Sequence, residues 1–432
     1  MKILIIVYSF PPLNRIASQR PFSWAKYWSR LGHEVTVLTK EKTGEDGPLN
    51  LEYSPNSLKD VRMLELKAWP FRLKRSDANK LNNISILHQL RRYIDACRVL
   101  GHADFWGFSA VRMVSKLHSV SPFDLVVSTY GPYGSHLVAS RIKRSLKIDW
   151  VADYRDLWHG NHVRPKKWPL NVIEDNFEKH FVKSADLITA VSEGLNNKLS
   201  ARFNRIVYTI ENGFDEDDLP AGSEERYFPD DGKIRIAYTG TIYKGFQDPS
   251  PLFEALAGLK QKGCQVEDKI RILFYGSRMG NLHNLINRYG LDSMIVTPGF
   301  VSRQECLRIQ RSVDALLFLE WEGPSGEDII TGKIFEYLYS GRPILSVGGG
   351  LGKQPGLIER YGAGVALGNS PQLIADILEK IIGGYKISYR LSEEQLKQFS
   401  RKYLAEKMLS LIMEWKWSRR VAQDDPKNKT AG

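Results

Sequence analysis

Residues 2–39 read KILIIVYSFPPLNRIASQRPFSWAKYWSRLGHEVTVLT. The run over 2–8 is apolar without alternation, as in a strand covered on both faces of its sheet. A helical pattern follows over 18–31, with Ser18 as its expected N-cap; Gly32 stops it, and 34–39 reads as a second buried strand. Strand, helix and strand joined this tightly make a βαβ unit, the building block of a parallel sheet.

The same alternation continues outward. DVRMLEL (60–66), DLVVST (124–129), DWVADY (149–154) and DLITAVS (186–192) read as further strands of the first set. A second set comprises IRIAYTG (234–240), IRILFYG (270–276), SMIVTPG (293–299), DALLFLEW (314–321) and RPILSV (342–347), separated by helical stretches such as 251–262. Between the sets, GFDEDDLPAGSEERYFPDDG (213–232) is acidic, rich in Gly and Pro and without periodicity, which marks a linker. The expectation is an α/β chain: a first domain over 1–212, the linker 213–232 and a second domain over 233–391. Ligands of such sheets bind beyond the strand C-terminal ends, so two facing sheets are expected to hold them in a cleft.

Composition sets the class. The chain has 432 residues, 42% hydrophobic and 25% charged, an ordinary globular make-up long enough for two or more domains. Its three cysteines, Cys97, Cys264 and Cys306, are far apart and odd in number, which argues against a disulfide scaffold or zinc site and for a reducing cytosol. The first apolar run is stopped by Pro11 and Pro12, too short for a signal peptide or spanning helix, so a soluble, cytoplasmic protein is expected.

The net charge of +12 invites a nucleic-acid partner, yet no binding signature for one is present and the basic residues form no single block. They gather between Lys67 and Arg98 (Arg72, Lys74, Arg75, Lys80, Arg91, Arg92), interleaved with Trp69, Phe71 and Tyr93, and again at Arg141, Lys143, Arg144 and Lys147. That pattern reads as solvated surface or as a segment drawn to an anionic membrane, peripheral on its inner face.

Chemistry concentrates in GEDIITGKIFEYLYSGRPILSV (326–347). A loop with acids leads through Thr331 and Gly332 into a helix beginning near Lys333, and Gly341-Arg342-Pro343 closes it before a buried strand. A helix start presents free N–H groups and positive potential to phosphate. Glu336, one turn in, can accept hydrogen bonds from hydroxyls such as those of a ribose. Together they suggest a nucleotide site. Strand ends at Gly240-Thr241, Gly276-Ser277 and Phe300-Val301 add to it, Gly240 allowing close backbone approach to a phosphate.

In the first half, the loop through Arg15 to Arg20, the stretch Asp153-Tyr154-Arg155-Asp156, and His136 all follow apolar strands. Asp156 or Asp153 could orient an acceptor hydroxyl, the alternative being an internal pair with Arg155. His136 opens a helix, where a lone histidine is more often structural, although contact with acceptor or donor phosphate is the other reading. His33 reads as structural. His159 and His162 lack a third ligand, so no metal site is expected.

In combination, several motifs resemble glycosyltransferase family 4 enzymes of the GT-B fold, especially bacterial enzymes of surface-polysaccharide assembly. They are YSFPPLNRIASQRPFSWAKYWSRLGHEVTVLT (8–39), DYRDLW (153–158), ADLITAVSEGL (185–195), ENGFD (211–215), YTGTIYKGFQDPSPLFEAL (238–256) and GKIFEYLYSGRPIL (332–345). The resemblance implies two Rossmann-like domains, with a nucleotide-sugar donor in the second and a glycan or lipid-linked oligosaccharide acceptor in the first. It implies that a helix over 392–420 crosses back to the first domain, leaving 421–432 as a disordered tail.

Carried over, the family's paired acids fall on Glu336, which would hold the donor ribose, and on Asp328 or its neighbour Glu327, facing the transferred sugar. Lys333 would neutralise the diphosphate. The family's arginine and lysine of the phosphate loop are replaced here by Thr241 and Phe246; Lys244 and Lys333, or Arg15 or Arg20 from the first domain, would supply that charge. The donor would be a UDP-sugar, the group moved a hexosyl or N-acetylhexosaminyl unit, and the outcome retention, with no cofactor or metal required. Rival readings are a sugar-nucleotide epimerase of the same fold, which would need no acceptor, and a non-catalytic nucleotide-sugar-binding homologue.

Overall fold

The computed structural model describes residues 1–67, 103–161, 168–218, 227–322, 331–349 and 353–424, apart from positions 45, 48, 52, 54, 277, 278 and 280. The basic and aromatic cluster from Trp69 to Arg98, and the candidate residues His162, Ser277, Glu327 and Asp328, lie outside the described residues. The chain divides into two compact units. One comprises Met1–Glu211 with the chain from Leu404 onward, and the other Asn212–Tyr403.

The first unit alternates β1 (Lys2–Val7), α1 (Ile16–Arg30), β2 (Glu34–Lys40), β3 (Val61–Leu66), α2 (Ala103–Val120), β4 (Leu125–Thr129), α3 (Gly134–Leu146), β5 (Asp149–Tyr154), α4 (Leu170–Val182), β6 (Leu187–Ala190), α5 (Glu193–Phe203) and β7 (Tyr208–Thr209). Its strands form one parallel sheet in the order β3-β2-β1-β4-β5-β6-β7. Ile3, Ile5 and Val7 pack on one face with Trp24 and Trp28, while Leu4 and Ile6 pack on the other with Trp106 and Trp150. Burial on both faces is what the unalternating apolar strands require.

Helix α1 begins two residues before Ser18. Extended Arg15 is its N-cap, Ser18 N donates to Arg15 O at 2.9 Å, and the Ser18 side chain is buried inside the helix. The expected serine cap is therefore corrected: the hydroxyl lies within the packed face rather than at the end of the helix.

The second unit runs β8 (Ile234–Thr239), α6 (Ser250–Gln261), α7 (Val266–Lys269), β9 (Ile270–Tyr275), α8 (Leu282–Tyr289), β10 (Ile295–Gly299), α9 (Arg303–Ser312), β11 (Ala315–Leu319), α10 (Gly332–Ser340), β12 (Ile344–Val347), α11 (Lys353–Arg360), β13 (Gly364–Gly368), α12 (Pro371–Ile382) and α13 (Glu393–Lys397). Its sheet is again parallel, in the order β10-β9-β8-β11-β12-β13. Leu317 and Leu319 face one core, and Leu316 and Phe318 the other.

One long C-terminal helix was the expectation; the chain instead breaks between α13 and α14 (Arg401–Asp424). The break is where Phe214 forms a parallel bridge with Ser400, Phe214 N donating to Phe399 O and Arg401 N to Phe214 O. Helix α14 runs to Asp424, four residues into the stretch expected as a disordered tail. From Leu404 on it belongs to the first unit, where Leu404, Met408 and Ile412 join the Trp24–Trp28 core and Trp28 Nε1 donates to Ala405 O at 2.9 Å. Among the described residues, no helix is long and apolar enough to cross a membrane.

Candidate functional site

In the second unit, Gly240 and Gly276 end adjacent strands. Gly240 N donates to Tyr275 O and Gly276 N to Gly299 O, both at 2.8 Å, and the two glycines have φ of +128° and +153°. A Cβ on Gly276 would strike the Gly240 carbonyl, and one on Gly240 would lie 2.9 Å from Lys333 Nζ. Only glycine leaves this strand edge open.

Helix α10 starts against that edge. Thr331 is its extended N-cap and supplies no side-chain cap bond. Tyr337 fixes the helix to β8: its hydroxyl accepts from Thr239 N at 3.0 Å, while Gln310 Nε2 donates to Thr239 Oγ1 at 2.9 Å. Lys333 Nζ lies 3.8 Å from the Tyr238 ring centroid, a cation over an aromatic face, and makes no ion pair among the described residues. Burial pushes its pKa down to about 7, against the opposing influence of Cys306 and Glu336. Burial likewise raises the Cys306 thiol to about 11, so it stays protonated and is no nucleophile at neutral pH.

Glu336 stands one turn further along. Its Oε1 accepts from Arg303 Nη1 at 2.9 Å, and its Oε2 accepts no hydrogen bond among the described residues. The site thus combines open glycine backbone, the first amides of a helix, a cation and a half-engaged carboxylate. The first three can bind phosphate, and the carboxylate can receive sugar hydroxyls.

The loop after β8 explains the departure at Thr241 and Phe246. Tyr238 OH donates to Thr241 O and Gln247 Nε2 to Leu319 O, both at 2.7 Å, and Glu322 N donates to Phe246 O at 2.6 Å. Phe246 packs on Trp321 with ring centroids 5.1 Å apart. An aromatic ring therefore closes the loop onto the end of β11 where the resemblance has a lysine. Lys244 is exposed, Phe300 is half exposed, and Val301 packs against the core.

Two residues of this region escaped the sequence reading. Arg303 sits in the first turn of α9, where nothing in its neighbourhood signals a partner 33 residues away. Glu320 directly follows the buried strand β11; its signal was an acid at the end of an apolar run. Burial lifts its carboxyl to about 7, opposed by a 2.6 Å bond from Ser346 Oγ.

The first unit corrects three expectations. Arg20 is no exposed ligand: it clasps Asp153 through Nη2 at 2.7 Å and Nε at 3.1 Å, and donates to the carbonyls of Ile210 and Glu211. Asp153 is fully buried and also accepts from Thr129 and Thr189, so both its oxygens are engaged and it pairs with Arg20 rather than Arg155. His136 is fully buried among Tyr130, Trp150, Tyr154 and Trp158, its Nδ1 2.8 Å from Ser128 Oγ, and desolvation holds its pKa near 3. It is structural, not an acceptor or phosphate contact. Arg155 donates to the carbonyls of Tyr130 and Gly131. Asp156 beside it is exposed at the end of β5, and exposed Arg15 donates to the Asp46 carbonyl. No group of acids, histidines and cysteines among the described residues could hold a metal ion.

Comparison with known proteins agrees with this architecture. Residues 21–218 match the model of Glycosyltransferase Family 4. No sequence among curated proteins matches the chain. Among solved structures, sucrose-phosphate synthase from Thermosynechococcus elongatus is similar with a TM-score of 0.63 and 14% identity, covering 97% of this chain and 100% of that one. Anabaena HepE in complex with UDP-glucose gives 0.61 at 16% identity over 96% and 100%. The UDP-GlcNAc 2-epimerase of Methanocaldococcus jannaschii gives 0.56 at 12% over 96% and 100%. At such identities the likeness establishes the fold. Residues 21–218 are thus similar to glycosyltransferase family 4, and the chain as a whole has the GT-B fold of two Rossmann-like domains.

Proposed function

We propose that the protein transfers a sugar, hexosyl or N-acetylhexosaminyl, from a nucleotide-sugar to a glycan or lipid-linked acceptor with retention, in building cell-surface polysaccharide. The observation that carries this reading is the convergence of Gly240, Gly276, Lys333 and Glu336 at one strand edge of the second unit. Lys333 and the opening amides of α10 would hold the diphosphate and Glu336 the ribose. A UDP-sugar is the expected donor, by family resemblance and because a structural neighbour holds UDP-glucose.

Chemically, the leaving diphosphate gains negative charge as the glycosidic bond breaks. Fixed dipoles and a cation already aimed there lower the barrier without reorganisation, and no metal is needed for that role. Asp328 or Glu327 would face the transferred sugar, and exposed Asp156 would orient the acceptor. The enzyme would act in the cytoplasm or on the inner face of the membrane.

A second reading has one observation in its favour, the presence of epimerases among the structural neighbours. A melting-temperature panel of nucleoside diphosphates, followed by incubation with the stabilising nucleotide's sugars with and without acceptor glycans, tests both. A specific rise in melting temperature and acceptor-dependent turnover are expected. Epimerised donor formed without acceptor would replace the transferase reading, and no stabilisation by any nucleotide would remove both.

A further inference from the structure

Glu336 is not a lone carboxylate. Arg303 Nη1 donates to Glu336 Oε1 at 2.9 Å, while Arg303 Nη2 and Nε both reach Asp218 Oδ2, at 2.5 and 3.1 Å. Arg401 Nη1 lies 3.8 Å from the same Asp218 oxygen. The four side chains are only 5–16% exposed, so these charges interact with little screening by water.

The members come from four separate places. Arg303 opens α9, Glu336 sits in α10, Arg401 opens α14, and Asp218 ends the short turn Glu216–Asp218 just after the chain enters this unit at Asn212. The entering and leaving segments are tied to each other by the Phe214–Ser400 bridge.

A guanidinium is a rigid planar fork, so holding one edge fixes where the other points. The double hold on Asp218 therefore aims Nη1 at Glu336. The single hold on Glu336 fixes one oxygen and leaves Oε2 without a protein hydrogen bond among the described residues. An immobilised carboxylate with one open oxygen is pre-organised to receive hydroxyls, because little side-chain freedom is left to lose on binding.

We propose that Arg303 is a positioning residue for Glu336, and that Asp218, outside the nucleotide site, sets the grip on the ribose by anchoring Arg303. This rests on the reading of Glu336 as the ribose ligand. Neither Arg303 nor Asp218 needs to touch the nucleotide: the effect passes through the orientation of one carboxylate.

The test compares the binding of UDP and 2′,3′-dideoxy-UDP, by titration calorimetry, to the full chain and its Asp218→Asn and Arg303→Lys variants, with thermal melting to check folding. The wild type should prefer UDP by about tenfold or more, the worth of a hydrogen bond to a charged group. Both variants should lose most of that preference while binding the dideoxy nucleotide as the wild type does. A preference retained in folded variants overturns the positioning role and leaves the ribose reading standing. Equal weakening for both nucleotides, or loss of the melting transition in both variants, assigns the network a purely structural role and overturns it too. A wild type that binds UDP without preference removes the ribose reading itself.

Discussion

Lys333 Nζ occupies the space beside Gly240 where any side chain would begin, 2.9 Å from the position of a Cβ. The end of β8 and the start of α10 are thus matched: the glycine is empty so that the lysine can lie over Tyr238. Gly240→Ala should displace the ammonium and strain a backbone at φ +128°. UDP binding by that variant is expected to weaken by about tenfold or more, as for loss of a charge-assisted bond. Calorimetric titration measures it, and unchanged affinity in a folded variant would separate Lys333 from the nucleotide.

Lys333 also gives a stability signature. Its pKa falls from 10.5 unfolded to about 7 folded, so between those values the unfolded chain holds a proton that the folded chain has released. Stability contributed here therefore rises with pH across that window and is lost as pH falls towards 7. Lys333→Met should flatten this slope and be at least as stable as the wild type at pH 7, yet bind UDP more weakly. Urea unfolding at pH 7 and 9.5 reads the slope.

The Arg20–Asp153 pair makes a different prediction. Asp153→Asn leaves a buried guanidinium without its counter-charge, which typically costs about 3–5 kcal/mol. Denaturant melts should show a loss of that order. A change below about 1 kcal/mol, the range of an exposed pair, would contradict the burial described here.

His136 contributes to acid sensitivity. Its folded pKa near 3 lies below the ordinary 6.5, so the unfolded chain gains a proton first and stability drains as pH falls from 6.5 towards 3. His136→Asn should lose less melting temperature between pH 7 and 4.5 than the wild type does.

Much of this was legible in the sequence because parallel strands buried on both faces write themselves as unbroken apolar runs. The strands at 2–7, 149–154 and 315–319 were found within a residue or two for that reason. The two-residue β7 and the glycine-flanked β13 carried no such run and were not expected. Within the site, Glu336 and Lys333 stood out because they share a helix opening. Arg303 and Asp218 did not, since a tertiary ion pair leaves no local trace. Arg20 and Asp153 misled for a related reason: a charged residue at a strand or helix end looks available until the fold supplies its partner.

The most direct test is the affinity of UDP for the wild type and for Glu336→Ala, measured by calorimetry on protein whose melting transition is intact. Removing a carboxylate that holds ribose hydroxyls should weaken binding by about tenfold to a hundredfold and abolish any preference for the intact ribose. Equal affinity in the two proteins would mean that the nucleotide sits elsewhere.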